Sequence, residues 1–448
     1  MRTAITKQHH EALVTRLDLR GASTLSERLL VLLTMGYAGA VVAGSSFGTL
    51  ALGSLAKLVA LPFVGLTILV YRHRREARTN IVIYCLGGIT ILAVMSYFWT
   101  IDTSATVTKA STFLQLFAAT ASVGFALRHL GRRGLIALSW GLMLGAVTAA
   151  FMVFYSEIHH TFVNAANYEY LIERVTAGSS DPNDIALSMV LAVPVFLVQR
   201  SWIVKLLTLP VGIAVLLTGS RGAILAAVVM LLSFVFLSFS GGEGRQGRTI
   251  RPWHVLASAV LVVVVGSIFL PATIIARFKS IPTELTGGTL TNRTILWKNA
   301  WNGILNRPLD GYGIGSSPTY EFAHSGYMLV THNVWLAFFL EIGIVGVLLF
   351  LVAFAVAFVG SYKVRNHIQW LFPSMIALFT GTYALAWDYN KLMWLLLVTG
   401  GYAAAEYQNV RRQFMPLPPQ IEPTPPLDEI GSSAHRTSPR RMNAGNDS

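Results

Sequence analysis

The chain has 448 residues, of which 54% are hydrophobic and only 12% charged, against about a quarter charged in an ordinary soluble domain. This composition excludes a water-soluble globular protein and leaves one built for lipid. The formal net charge of +13 sits largely in short links between apolar runs. It therefore reads as membrane topology and attraction to anionic lipid, not as a nucleic-acid surface.

Residues 1–27 form a polar N-terminal segment. Twelve apolar runs follow, at 28–46, 50–71, 80–98, 108–127, 134–154, 184–200, 202–219, 222–240, 253–271, 333–360, 369–387 and 391–406. Their length suits a bilayer core of about 30 Å, which takes about 20 helical residues. They are continuous, not alternating, so they predict helices and not barrel strands. The first run begins too late and is too well followed by others to be a cleaved signal peptide, so it counts as a spanning helix. Cys85, the single cysteine, lies within the third run, which excludes disulfides and leaves no thiolate metal site. Residues 407–448 are rich in Pro, Ser and charge and predict a disordered tail.

Cations fall after every second run: Arg72 to Arg78, Arg128 to Arg133, Arg200 and Lys205, Arg245 to Arg251, Lys363 and Arg365, and Arg411 and Arg412. The positive-inside rule then puts both termini in the cytoplasm. Two links on the outer side are long, 155–183 and 272–332, and non-spanning segments of that length are usually functional or disordered. The second is too rich in Trp, Ile and Gly for disorder. It contains "NRTILWKNAWNGILN" (292–306), whose Ile295, Leu296, Ala300, Ile304 and Leu305 predict a short amphipathic helix on the membrane surface.

The outer links hold the candidate functional residues. "TGSRG" (218–222) makes a tight hairpin between two apolar runs, with Gly219 and Gly222 for the turn and Thr218 or Ser220 for the cap. Arg221 within it is either a snorkelling arginine held by lipid phosphate or a ligand for a bound anion. Arg174 leads into "DPND", where Asp181, Asn183 and Asp184 cluster, and Asp181 and Asp184 suit support of the arginines better than a metal. The second outer link adds Arg277, Lys279, Arg293, Lys298 and Arg307 on the face where the positive-inside rule disfavours them. A multiply charged anion is their natural partner, and the arginine fork suits phosphate oxygens. Gly311, Gly313 and Gly315 form a G-x-G-x-G loop with no preceding strand, so it reads as a turn against a helix and not as a dinucleotide fingerprint. His332 precedes Asn333, a candidate helix cap, and is either structural or a proton acceptor from a hydroxyl. His324 is its competitor.

The pieces "DPNDIAL", "TGSRGAIL", "LDGYGIG" and "HNVWLAFFLEIGIVGVLLF", in that order around one large outer loop, resemble the O-antigen ligase and O-antigen polymerase superfamily over about residues 28–406. The resemblance implies an all-α polytopic membrane protein of the bacterial inner membrane, similar to the C-type membrane glycosyltransferases, with about 12 transmembrane helices and its active site facing the periplasm. It implies an inverting, metal-independent glycosyltransferase without cofactor. Such an enzyme moves a glycan from undecaprenyl diphosphate to a glycan or lipid A core acceptor, in O-antigen or exopolysaccharide biosynthesis. Carried over residue by residue, Arg221 and Arg174, and more loosely Arg293, would bind the diphosphate and His332 would be the base. Asp181, Asn183, Gly313 and Asn333 would support them. The alternative is a polytopic transporter or flippase for a polysaccharide precursor. Transporters place functional charges and broken helices near the midplane, and Glu341 is the main ionisable residue noticed inside a run.

Overall fold

The computed structural model describes residues 24–43, 55–71, 80–159, 181–239, 252–286 and 293–407, and all regular structure among them is helical. The expectations for most of 1–27 and 155–183, for the links at 72–79 and 240–251, and for 408–448 lie outside the described residues, as does Arg174. In chain order the helices are α1 (Leu25–Ala43), α2 (Leu55–Tyr71), α3 (Ile81–Met95, extended by a tighter turn to Phe98), α4 (Thr103–Leu130), α5 (Arg132–Ile158) and α6 (Pro182–Leu197). Then come α7 (Trp202–Leu206), α8 (Thr208–Leu217), α9 (Arg221–Phe239), α10 (Pro252–Phe269), α11 (Ala272–Lys279) and α12 (Ile281–Thr286). The chain ends with α13 (Arg293–Asn306), α14 (Ser317–Ser325), α15 (Val334–Lys363), α16 (Leu371–Thr382) and α17 (Lys391–Ala405).

Each apolar run contains a helix, with the seventh divided into α7 and α8. By length and composition five helical segments, those of α1, α3, α4, α5 and α15, are long and apolar enough to cross a membrane. Seven more are apolar but shorter. Polar side chains set several starts: Asn80, Asp102, Asp181, Asn333 and Asn390 each accept from amides of the first helical turn. These bonds satisfy donors that have no intrahelical partner. Asp102, accepting from the Ala105 amide at 2.9 Å, starts α4 several residues before the apolar run begins. Conversely α16 stops at Thr382, and residues 383–390 turn back towards the bundle instead of completing the run to 387.

Glycine lets the longest contacts close. A Cβ on Gly145 of α5 would lie 2.5 Å from the Gly39 carbonyl of α1, so these two backbones touch directly.

The largest departure from regular helix is in α15, interrupted at Ile342 (φ −129°, ψ 16°) and Gly343 (φ 68°, ψ −167°). The glycine loop repairs the interruption. Tyr312 and Gly313 donate to the carbonyls of Leu340 and Glu341 at 2.9 and 2.8 Å, and Ile344 donates to Pro308 at 2.9 Å. The loop can lie this close because Gly311, Gly313 and Gly315 all have positive φ.

The insertion between α10 and α15 is itself helical. Its α13 buries Leu296, Ala300 and Ile304 and exposes Ile295, Trp301 and Leu305. The apolar residues expected on one amphipathic face are thus divided. Of the inward set, Ala300 and Ile304 form a small second core with Tyr320 and Leu340, and the outward set is exposed.

Candidate active site at converging helix ends

The "TGSRG" turn joins two helix ends to a third. Gly219 takes φ 62°, and a Cβ there would meet Ile274 of α11 at 2.9 Å. Ser220 accepts weakly from the Ala223 amide at 3.4 Å and donates its hydroxyl to Asn183 Oδ1 at 2.9 Å. Asn183 in turn gives its amide to Asp181 Oδ1 at 2.7 Å. The N-termini of α6 and α9 are therefore bonded side by side, with Arg221 as the first residue of α9. Arg277 Nε, from α11, donates to the Gly219 carbonyl at 3.0 Å and brings a further guanidinium to the turn.

His332 is the only non-glycine with a positive φ, 48°, among the described residues. A left-handed backbone at a residue with a Cβ costs of order 1–3 kcal/mol and persists where neighbours impose it. Here both neighbours are held. The Thr331 carbonyl accepts from Trp297 Nε1 of α13 at 3.0 Å, and Asn333 Oδ1 accepts from the amides of Trp335 and Leu336 at 3.0 and 3.1 Å.

Electrostatics tie these ends together. Burial, and then the positive charge of Arg293, push the His332 imidazole down to about 4, while Asp181 opposes the shift. Burial also lowers Arg293, with Arg221's charge adding to it and Asp181 again opposing. Arg221, Arg293, His332 and Asp181 are thus linked electrostatically, with the Arg293 guanidinium interacting both with Arg221 and with an imidazole that is neutral at pH 7. This set can bind an anion of several charges and accept a proton.

The remaining candidates lie as follows. Asp184, one turn into α6, accepts from Trp387 Nε1 at 2.8 Å. Gly313 contacts Thr100 and Glu341 on the neighbouring side. His324 is exposed, stacks on Tyr320 with ring centroids 4.2 Å apart and donates to the Tyr320 carbonyl at 2.8 Å. Among the described residues no three His, Cys, Asp or Glu side chains gather as metal ligands.

A second charged cluster was not expected. Lys109 of α4 bridges Glu341, at the α15 interruption, and Asp388, at 2.8 and 2.6 Å. Both carboxylates are almost wholly buried, at 1% and 2% side-chain exposure. Ser317 donates its amide to the same Glu341 at 3.3 Å. Since Asp388 follows Trp387, which holds Asp184, the cluster adjoins the arginine site. The signals were a lysine at the second residue of the fourth run and an aspartate just past the eleventh, each easily taken for the polar rim of an apolar segment.

Comparison with known proteins adds a family. Residues 206–351 match the family model described as O-Antigen ligase. The matched segment includes Arg221, Arg293, Gly313, His332 and Asn333, and leaves Asp181, Asn183, Lys109 and Asp388 outside. No curated protein matches the chain. The match at 206–351, in a protein whose described residues are all-helical and rich in apolar helices, supports the O-antigen ligase and polymerase superfamily, and over that segment the chain is similar to the O-antigen ligase family.

Proposed function

We propose that this protein transfers a glycan from undecaprenyl diphosphate to an acceptor hydroxyl, at the periplasmic face of the bacterial inner membrane. The reaction is inverting and needs no metal. The acceptor hydroxyl oxygen attacks the anomeric carbon from the face opposite the leaving group. The bond from that carbon to the diphosphate oxygen breaks, its electron pair leaves with the diphosphate, and the hydroxyl proton passes to His332. Arg221 and Arg293, joined by Arg174, offset the charge that grows on the diphosphate. Because the leaving group is already competent, placing charges and orienting the hydroxyl is sufficient chemistry. The carrier's isoprenoid chain lies along the exposed apolar helix faces.

The observation that carries this reading is the neutral His332, held in a strained backbone beside Arg293 in the electrostatic group that includes Arg221. The test uses purified protein in detergent with a carrier-linked glycan and an acceptor, with chelator present and no nucleotide. His332→Ala is expected to keep donor binding and to lose about a hundredfold or more in transfer rate, the usual contribution of a general base. Unchanged transfer in that variant would remove His332 from the chemistry.

One observation favours a second reading, transport of a polysaccharide precursor: α15 is interrupted beside buried charge, as in many transporters. The interruption, however, has its backbone groups taken up by the 308–313 loop. Movement of carrier-linked glycan across proteoliposomes without any product would favour transport.

A further inference from the structure

The turn that follows α16 reaches both helix starts of the arginine site. Ala384 packs on Gly222, the residue after Arg221, so closely that a Cβ on the glycine would lie 3.1 Å from it. Three residues on, Trp387 donates from Nε1 to Asp184 Oδ1, in the first turn of α6, at 2.8 Å. That turn of α6 also carries Asn183, whose Oδ1 accepts the Ser220 hydroxyl at 2.9 Å. One short segment therefore touches α9 directly and α6 through an indole, where the two helix starts are bonded to each other.

The segment is itself held from the opposite side. The Trp387 carbonyl accepts from the Asn390 amide at 2.9 Å, and the Asp388 carbonyl accepts from Trp394 Nε1 of α17 at 2.9 Å. The Asp388 carboxylate is bridged by Lys109 of α4 at 2.6 Å. Trp387 is 1% exposed, so its ring has no room to swing while these bonds hold. Tryptophan suits the place because its one polar group, a donor, lies at the edge of a large rigid ring. A guanidinium binds phosphate oxygens best in a fixed fork geometry, so the place of the helix that begins with Arg221 matters for binding.

We infer that Trp387 is a positioning residue for the donor site. Through Asp184 it fixes the first turn of α6, and through Asn183 and Ser220 the start of α9, so that Arg221 keeps the geometry that receives a diphosphate. The effect on donor binding rests on the glycan-transfer reading above. The tether between the two helix starts does not.

The test compares variants in phosphatidylcholine nanodiscs, with binding of undecaprenyl diphosphate followed by native mass spectrometry and amide hydrogen exchange measured without ligand. Trp387→Phe keeps an aromatic ring and removes the donor. It is expected to weaken undecaprenyl diphosphate about tenfold, to raise the donor KM with the acceptor KM unchanged, and to speed exchange at both 181–186 and 219–225. Asp184→Asn still offers an amide oxygen to the indole, so its binding is expected to stay within about twofold of wild type and to keep the test usable if Trp387→Phe folds poorly. Ser220→Ala cuts the same tether farther along, so adding it to Trp387→Phe is expected to weaken binding no more than the stronger single change. Leu396→Ala, at a buried position in α17, serves as the stability control: it is expected to lower the unfolding midpoint and leave binding alone. Additive losses for Trp387→Phe and Ser220→Ala, or unchanged exchange at 219–225, overturn the tether. Equal weakening in Asp184→Asn assigns the effect to charge and overturns the hydrogen-bond role, and equal weakening in Leu396→Ala reduces it to general stability. A protein whose two segments loosen together in Trp387→Phe, but which binds no undecaprenyl diphosphate even as wild type, would uphold the tether while sinking the transfer reading.

Discussion

In the proposed reaction His332 accepts a proton, and its burial, followed by the charge of Arg293, sets the pH at which it can do so. With its imidazole near 4 in the free protein, the unprotonated form dominates at all moderate pH, and protonation removes the base. The pH profile of kcat/KM is therefore expected to be flat from about pH 8 down to about 5.5, far below where an ordinary histidine near 6.5 would begin to titrate, and then to fall as pH drops through about 4. Bound diphosphate offsets Arg293, so the acidic limb of kcat should lie at higher pH than that of kcat/KM. In Arg293→Gln the residual activity should show its limb moved up, because a charge that disfavours the imidazolium is gone. Coincident limbs in the wild type and Arg293→Gln would refute the coupling. Lys109 gives a stability prediction at the same scale. Lys109→Met strands two buried carboxylates and is expected to cost about 3–5 kcal/mol in detergent unfolding. Adding Glu341→Gln to that variant should recover part of the loss.

Among the elements, α15 shows how a single residue can decide whether a helix is one rod or two. Gly343 has φ 68°, and a Cβ there would run into the Leu309 backbone, so Gly343→Ala should strain both the interruption and the loop packed on it. A loss of order 1–3 kcal/mol or more is expected. Gly65, in the interior of α2 with nothing within 4 Å of its added Cβ, is the contrast. There alanine should be neutral or stabilising by up to about 1 kcal/mol, since it is the better helix former. Thermal unfolding should place Gly343→Ala below the wild type and Gly65→Ala at or above it, and equal midpoints would show that the interruption carries no stability. The 308–313 loop bonds to the carbonyls just before the interruption, α13 packs on the adjacent Leu340, and Trp297 of α13 holds Thr331 beside His332.

For the molecule as a whole, the arrangement of charge predicts which residues share a side of the membrane. Met328 is 64% exposed in the segment between α14 and α15, and Asn366 is exposed in the link after α15. In intact cells, cysteine at 328 should react with a membrane-impermeant thiol reagent, and cysteine at 366 only after permeabilisation. Cys85, buried, should stay silent in both. The reverse pattern would turn the arginine site to the cytoplasm and remove the periplasmic reading.

Helix content was legible in the sequence because continuous apolar runs have one solution in lipid, with backbone groups satisfied inside each segment. One helix start was legible as well, the cap at Asn333. So were the "TGSRG" turn and the sequence position of His332, because glycine, serine and a cap residue act on their immediate neighbours. Other features depended on residues far apart in the chain. Lys109, Glu341 and Asp388 are separated by 232 and 47 positions and carry no local pattern, so only the packing of α4, α15 and the turn before α17 could show that one ammonium serves both carboxylates. The helical pattern of α15 reads through Gly343 without a break, and it took the loop at 308–313 to supply the bonds that make an interruption cheaper than a straight helix. The low affinity of His332 for a proton has the same origin: it comes from burial and from Arg293, 39 residues earlier, and a local sequence contains neither.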